Sequence, residues 1–243
     1  MKNQKVLLGL SGVFAFLGGT VIIVGVSALK HFFGYPDIIR ADPQTILEKL
    51  YATSHIVPYL YYFGVGGAGL CLTLFAASFG KTLNDSGEEV FSSLGKVCGI
   101  TAGILLYAGI VRYSFLFPRL AELRHSELYQ KETIDLIFKA MNTYIGDSIA
   151  EHVQFTFTSL MFIFFGLSIR KTQILPKWTA YFGFVTAAII IIGNLEQFGF
   201  KFAFIFNRTG AKLLALWLLC TGIILLFKSL KHKEIISKEI NHV

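Results

Sequence analysis

Charge is scarce in this sequence. Only 15% of its 243 residues are Asp, Glu, Lys or Arg, against about a quarter in an ordinary soluble domain. A chain so short of charge does not read as a soluble globule. Cysteine is scarce too. Cys71, Cys98 and Cys220 all sit inside apolar runs and no CxxC spacing occurs, which removes a disulfide framework and a thiolate zinc site. Catalytic signatures are missing: there is no HExxH and no GxSxG, and Ser148 near His152 is the common four-residue helix spacing. The formal net charge of +7 raises a nucleic-acid partner, but the Lys and Arg flank apolar runs and form no basic stripe interleaved with aromatics. Nucleic-acid binding is therefore rejected.

What the sequence has instead is 54% hydrophobic residues, 24 Phe and 23 Gly, with mean hydropathy +0.61. A helix needs roughly 20 apolar residues to cross about 30 Å of hydrocarbon. Six stretches qualify, at 6–29, 56–79, 97–117, 149–169, 178–198 and 213–227. The first competes with a signal peptide, since Val26-Ser27-Ala28 resembles a cleavage site, but its apolar stretch exceeds the usual length of about 7–15 residues. The expectation is an all-α, six-helix membrane bundle forming a single integral membrane domain over 1–243, with a short tail at 228–243 and the lipid bilayer as its partner. Flanking Lys and Arg nearly tie, eleven on the terminal side against ten opposite. The terminal set lies closer to the spans, which places both termini in the cytoplasm.

Two long loops then face outward. Asp42-Pro43 reads as an N-cap followed by proline at the first helical position, predicting a helix over 44–52. In the second loop Ile134, Ile137, Phe138, Met141, Tyr144 and Ile145 recur at helical spacing between charged residues. That is an amphipathic helix, lying on the membrane or capping the bundle. Within the spans, Gly95, Gly99 and Gly103 share one helix face and Gly64, Gly66, Gly67 and Gly69 crowd a short stretch of another, a pattern that serves close helix packing in lipid or else a hinge or a groove where ligand meets backbone.

Alternating topology puts Arg112, Glu151, His152, Asn194 and Glu196 in one layer of the outer leaflet, with His55 at the mouth of the second span. Each has a bland explanation: Arg112 snorkels to phosphates, Glu151 and His152 sit at the water interface, and His55 is an interfacial or first-turn residue. Glu196 resists it, because an anion at a helix C-terminus opposes the macrodipole and an unpaired buried carboxylate costs several kcal/mol. Arg112 and His152 are its expected partners. The six residues are thus candidates for an outward-facing ionic cluster that holds a small polar ligand or lipid headgroup, or carries it across the membrane. A second reading makes the cluster a device that fixes helix register. A third takes His55, His152, Glu151 and Glu196 as ligands of a divalent metal or haem, although no cofactor is required by any motif.

Three stretches carry a family resemblance. They are Ile174-Leu175-Pro176-Lys177-Trp178 followed by Gly183, the segment from Arg112 to Pro118, and the approach to the fourth span from Asn142 to His152. The chain resembles a bacterial family of multi-span inner-membrane proteins of unknown function. The resemblance implies a bacterial cytoplasmic-membrane location and about six helices, and it brings no activity with it.

Overall fold

The structure is a computed structural model that describes residues 2–126, 128–200 and 202–240, with backbone alone for 2, 3 and 232–240. Of the flanking charges counted for orientation, Lys201 lies outside the described residues, as do the side chains of Lys2, Lys233 and Lys238. The described residues are helical with no strand. Six helices are long and apolar enough to cross a membrane, and large apolar side chains such as Val24, Phe63, Val97, Val185 and Phe227 point outward uncovered. A water-soluble monomer rarely exposes so much apolar surface. The protein is a multi-pass membrane protein and this belt faces lipid.

The spanning helices are α1 (Lys2–Phe33), α3 (Val57–Asn84), α4 (Val90–Ile110), α6 (Lys131–Thr172), α7 (Lys177–Gly193) and α8 (Ala203–Ile240). Two shorter helices, α2 (Pro43–Ala52) and α5 (Leu116–His125), lie between them. The six pack as a closed ring in chain order, α1 on α3, α3 on α4, α4 on α6, α6 on α7, α7 on α8 and α8 back on α1. Ser229 Oγ donates to the Lys5 carbonyl at 3.3 Å, so the start of α1 and the far part of α8 meet at one end, here called the terminal end; the other is the distal end.

Glycine permits the close crossings. A methyl group added at Gly103 would meet the Gly69 carbonyl oxygen at 2.5 Å, and one at Gly69 would meet the Gly103 carbonyl at 2.7 Å, so α3 and α4 touch backbone to backbone. Gly95 and Gly99 lie against Phe165 and Met161 of α6. The glycine face of the third span is a packing surface, as van der Waals-driven association in lipid demands.

Toward the terminal end the ring is filled by aromatics. Phe75 and Phe79 stack at 5.1 Å, Phe165 meets Phe79 edge-on, and Trp217 meets both Phe75 and Phe162. The Trp217 indole N–H donates to the Thr179 carbonyl at 2.9 Å, which satisfies its one polar atom in an apolar interior.

At the distal end the chain builds a second core outside the ring. Asp42 caps α2 by accepting from the Thr45 N–H at 3.0 Å, and Pro43 follows it as expected. Helix α6 runs 42 residues, roughly 60 Å, twice what the hydrocarbon needs. Its first part, the arm Lys131–Met141, buries Ile134 and Phe138 against Phe117, Leu120 and Ala121 of α5 and Ile46, Leu47 and Leu50 of α2. The arm therefore caps the bundle. Arg124, 7% exposed, locks the three pieces, donating to Asp135 of the arm at 2.8 and 3.4 Å and to Glu48 of α2 at 3.3 Å.

Span boundaries differ from the sequence expectation in instructive places. The apolar third stretch, within a candidate span of Val90–His125, is not one continuous α-helix to 117. It leaves α-helix at Ile110, tightens into a 3₁₀ turn at Val111–Tyr113, and restarts as α5, which belongs to the cap. The last span starts ten residues before 213. Asn207 and Arg208 interrupt its apolar run, but each finds a partner: Asn207 donates to Glu196 at 3.2 Å and Arg208 to Asp37 at 2.7 Å.

Candidate functional site

Four of the elements that meet below the cap depart from α-geometry there. Leu60–Gly66 of α3 and Asn142–Val153 of α6 are π-helical, Val111–Tyr113 is a 3₁₀ turn after α4, and Asn194–Phe198 is a 3₁₀ turn after α7. π-segments are rare and concentrate at functional sites. Here both π-segments line a space inside the ring, Tyr61 and Val65 from one and Asn142, Asp147, Ala150 and Glu151 from the other.

That space is two adjoining cavities. The larger, about 150 Å³, is lined by α1, α3, α4, α6 and α8 and by the connector from Tyr35 to Arg40. The smaller, about 70 Å³, is polar and reaches Tyr61, Tyr113, Asn142 and Asp147. Tyr35, Ile39, Ile110, Arg112 and Glu151 line both.

Arg112 is the centre of this arrangement. It does not snorkel outward: the 3₁₀ turn aims it into the protein and leaves it 8% exposed. Its guanidinium lies over the rings of Tyr113 and Phe117, at 4.9 and 5.7 Å, donates to the Gly109 carbonyl at 2.5 Å and reaches Asn142 Oδ1 at 3.4 Å. Nε has no hydrogen-bond partner, and among the described residues Arg112 makes no ion pair. A buried cation without a counter-ion is costly.

Glu151 lines both cavities with Arg112, and Asp147, four residues earlier, lines the smaller one. Gln154 follows at 1% exposure, its amide donating to Thr158 at 2.7 Å while Oε1 is unpaired. Tyr61 is stacked on Tyr113 with ring centroids 4.2 Å apart, and its hydroxyl is likewise unpaired. Arg208 Nε is a fourth such atom on the cavity wall. Buried polar atoms without partners are few in native proteins and call for water or a ligand. Tyr35, in the connector beyond α1, has its phenol pushed up to about 12, chiefly by burial, so it stays neutral and can both donate and accept.

The other sequence candidates lie elsewhere. Glu196 pairs with neither Arg112 nor His152: it accepts from Arg40 at 2.6 Å and from Asn207. Arg40 comes from the loop after α1, which periodicity cannot place in space. His152 lies outside both cavities, its ring meeting Phe198 edge-on at 5.3 Å. Asn194 donates to Thr156 Oγ1 at 3.1 Å and to the His152 carbonyl at 3.4 Å, so it pins the 3₁₀ turn to α6. His55 is exposed in the turn before α3 and lines neither cavity. Among the described residues no three His, Cys, Asp or Glu side chains gather around a point that a metal ion could occupy. The set His55, His152, Glu151 and Glu196 is therefore not gathered around a metal-ion site among the described residues.

Sequence reasoning missed Asp147, Gln154, Tyr61, Tyr35, Arg40 and Arg208. For Asp147 and Gln154 a signal existed, since they stand four before and three after Glu151 and so share its helix face. For the connector residues none did.

Comparison with curated proteins and with solved structures gives no match. A family model, described as a domain of unknown function, DUF4386, matches residues 10–228. That match covers most of the six-helix ring, all of the cap and every residue of the cavity walls, and the chain belongs to the DUF4386 family.

Proposed function

We propose that the protein binds a small polar or amphiphilic ligand, free or carried by a lipid, in the distal cavities. We further propose that it does so in a bacterial cytoplasmic membrane with both termini in the cytoplasm, so that the site faces outward. The supporting observation is Arg112: a buried guanidinium with an unpaired Nε on the shared wall of two cavities that also contain unpaired Tyr61 and Gln154 atoms. Binding is favoured over transport because the aromatic packing around Phe75 and Trp217 closes the ring toward the terminal end.

A purely structural role is the second reading. It draws on Arg40–Glu196 and Arg208–Asp37, which tie the connector after α1 to the chain around α8. Native mass spectrometry and thermal melting of purified parent and Arg112→Gln separate the two. Ligand binding predicts a bound small molecule in the parent, absent from a variant that still folds. A parent without bound mass and a variant with sharply reduced melting temperature would favour the structural role.

A further inference from the structure

The two cavities differ in chemistry, and the difference specifies a ligand class. This step rests on the reading that the cavities bind a ligand. The smaller one is lined by donors, Arg112 Nε and the Tyr61 hydroxyl, both buried and unpartnered. It is also lined by the carboxylates of Asp147 and Glu151, which make no ion pair among the described residues. A simple anion would satisfy the donors and be repelled by the carboxylates, and a simple cation would meet the reverse. A molecule that carries opposite charges a few bonds apart satisfies both sets at once and gains a charge-assisted contact with each. The larger cavity continues from there between Ile22, Val26, Val65, Leu106, Phe155 and Leu214. At about 150 Å³ it has room for roughly five waters or a small hydrocarbon group, and this apolar side suits an apolar remainder while Gln154 and Arg208 make the rest of the wall polar.

We infer that the ligand is an amphiphilic zwitterion with a primary ammonium, its anionic group held by Arg112 and Tyr61, its ammonium by Glu151 and Asp147, and its apolar part in the larger cavity. A free amine-bearing acid and a phosphoethanolamine lipid headgroup both carry this chemistry. The ammonium N–H groups matter, because a carboxylate pair offers only acceptors.

The test uses the full-length protein, purified and delipidated, titrated calorimetrically with O-phosphoethanolamine, inorganic phosphate and ethanolamine as separate probes. O-phosphoethanolamine is expected to bind about tenfold or more tighter than either fragment, since each charged contact adds on the order of 1.5–3 kcal/mol. Glu151→Gln should bring its affinity down to that of phosphate, and Arg112→Gln down to that of ethanolamine. Native mass spectrometry from nanodiscs distinguishes the sources: retention of phosphatidylethanolamine over phosphatidylcholine supports the headgroup, and binding of the soluble probe without lipid retention supports the free molecule. Phosphate binding as tightly as O-phosphoethanolamine, unchanged in Glu151→Gln, would overturn the zwitterion while leaving a binding site. No binding by any probe, with no molecule co-purifying, would overturn both.

Discussion

Arg112 lies directly over Gly146. A methyl group on Gly146 would meet the Arg112 Nη2 atom at 2.5 Å, so the guanidinium occupies the space that any other residue at 146 would fill with its own side chain. Gly146→Ala is therefore expected to displace Arg112 from the cavity wall. The displaced group is the far end of a flexible chain, and the stability cost should fall toward or below the lower end of the usual overpacking range of about 1–3 kcal/mol. Loss of bound ligand with a nearly unchanged melting temperature is the expected signature.

Gly103→Ala makes the opposite prediction. Its new methyl group meets the Gly69 carbonyl of α3, which is backbone and cannot step aside. A loss near or above the upper end of that range, about 3 kcal/mol, is expected in detergent melting, with no selective effect on ligand.

The cap should depend on Arg124. Replacing it by Ala leaves Asp135 and Glu48 without their shared partner, and breaking a buried ion pair costs about 3–5 kcal/mol. Asp135 and Glu48 keep 26% and 49% of their side-chain surface in solvent, which screens the loss toward the exposed-pair range, so about 1–2 kcal/mol is expected. Hydrogen exchange should rise in α2, α5 and the arm 131–141 before it rises in the ring.

Glu88 supplies a pH dependence at the terminal end. It lies in the turn between α3 and α4, beside Lys171 at 2.8 Å, and accepts from the Phe91 N–H at 3.1 Å. Lys171 first, and the Phe91 amide second, hold its carboxyl below the usual glutamate range. A lowered folded-state pKa stabilises the fold fully above the unfolded value, and that contribution disappears as pH falls through the lowered one. The melting-temperature difference between parent and Glu88→Gln should be largest at neutral pH and shrink in acid. A difference that grows in acid would contradict the assignment.

The ring was legible because lipid imposes a length and a composition on anything that spans it, and runs such as 6–29 carry both. Helix ends were not, where polar residues are paid for by partners remote in sequence. Asn207 and Arg208 look like the end of a span until Glu196 and Asp37 are seen beside them. Helix α5 escaped notice because Pro118 and the charges from Arg119 to Arg124 read as loop, whereas its buried face exists only against the arm and α2. Depth alone brought Arg112 and Glu151 together. It also grouped Glu196 and His152 with them, because depth fixes height along the bundle and not direction around it. Glu196 faces Arg40 and His152 faces Phe198.

The most direct test of a ligand site around Arg112 is a cryo-electron microscopy map of the protein in nanodiscs at a resolution that shows ordered water. Continuous non-protein density is expected within hydrogen-bond distance of Arg112 Nε and the Tyr61 hydroxyl, extending into the cavity between Val65 and Leu214. Separate water peaks bridging Arg112 to Glu151 and Asp147, with nothing else in either cavity, would contradict it.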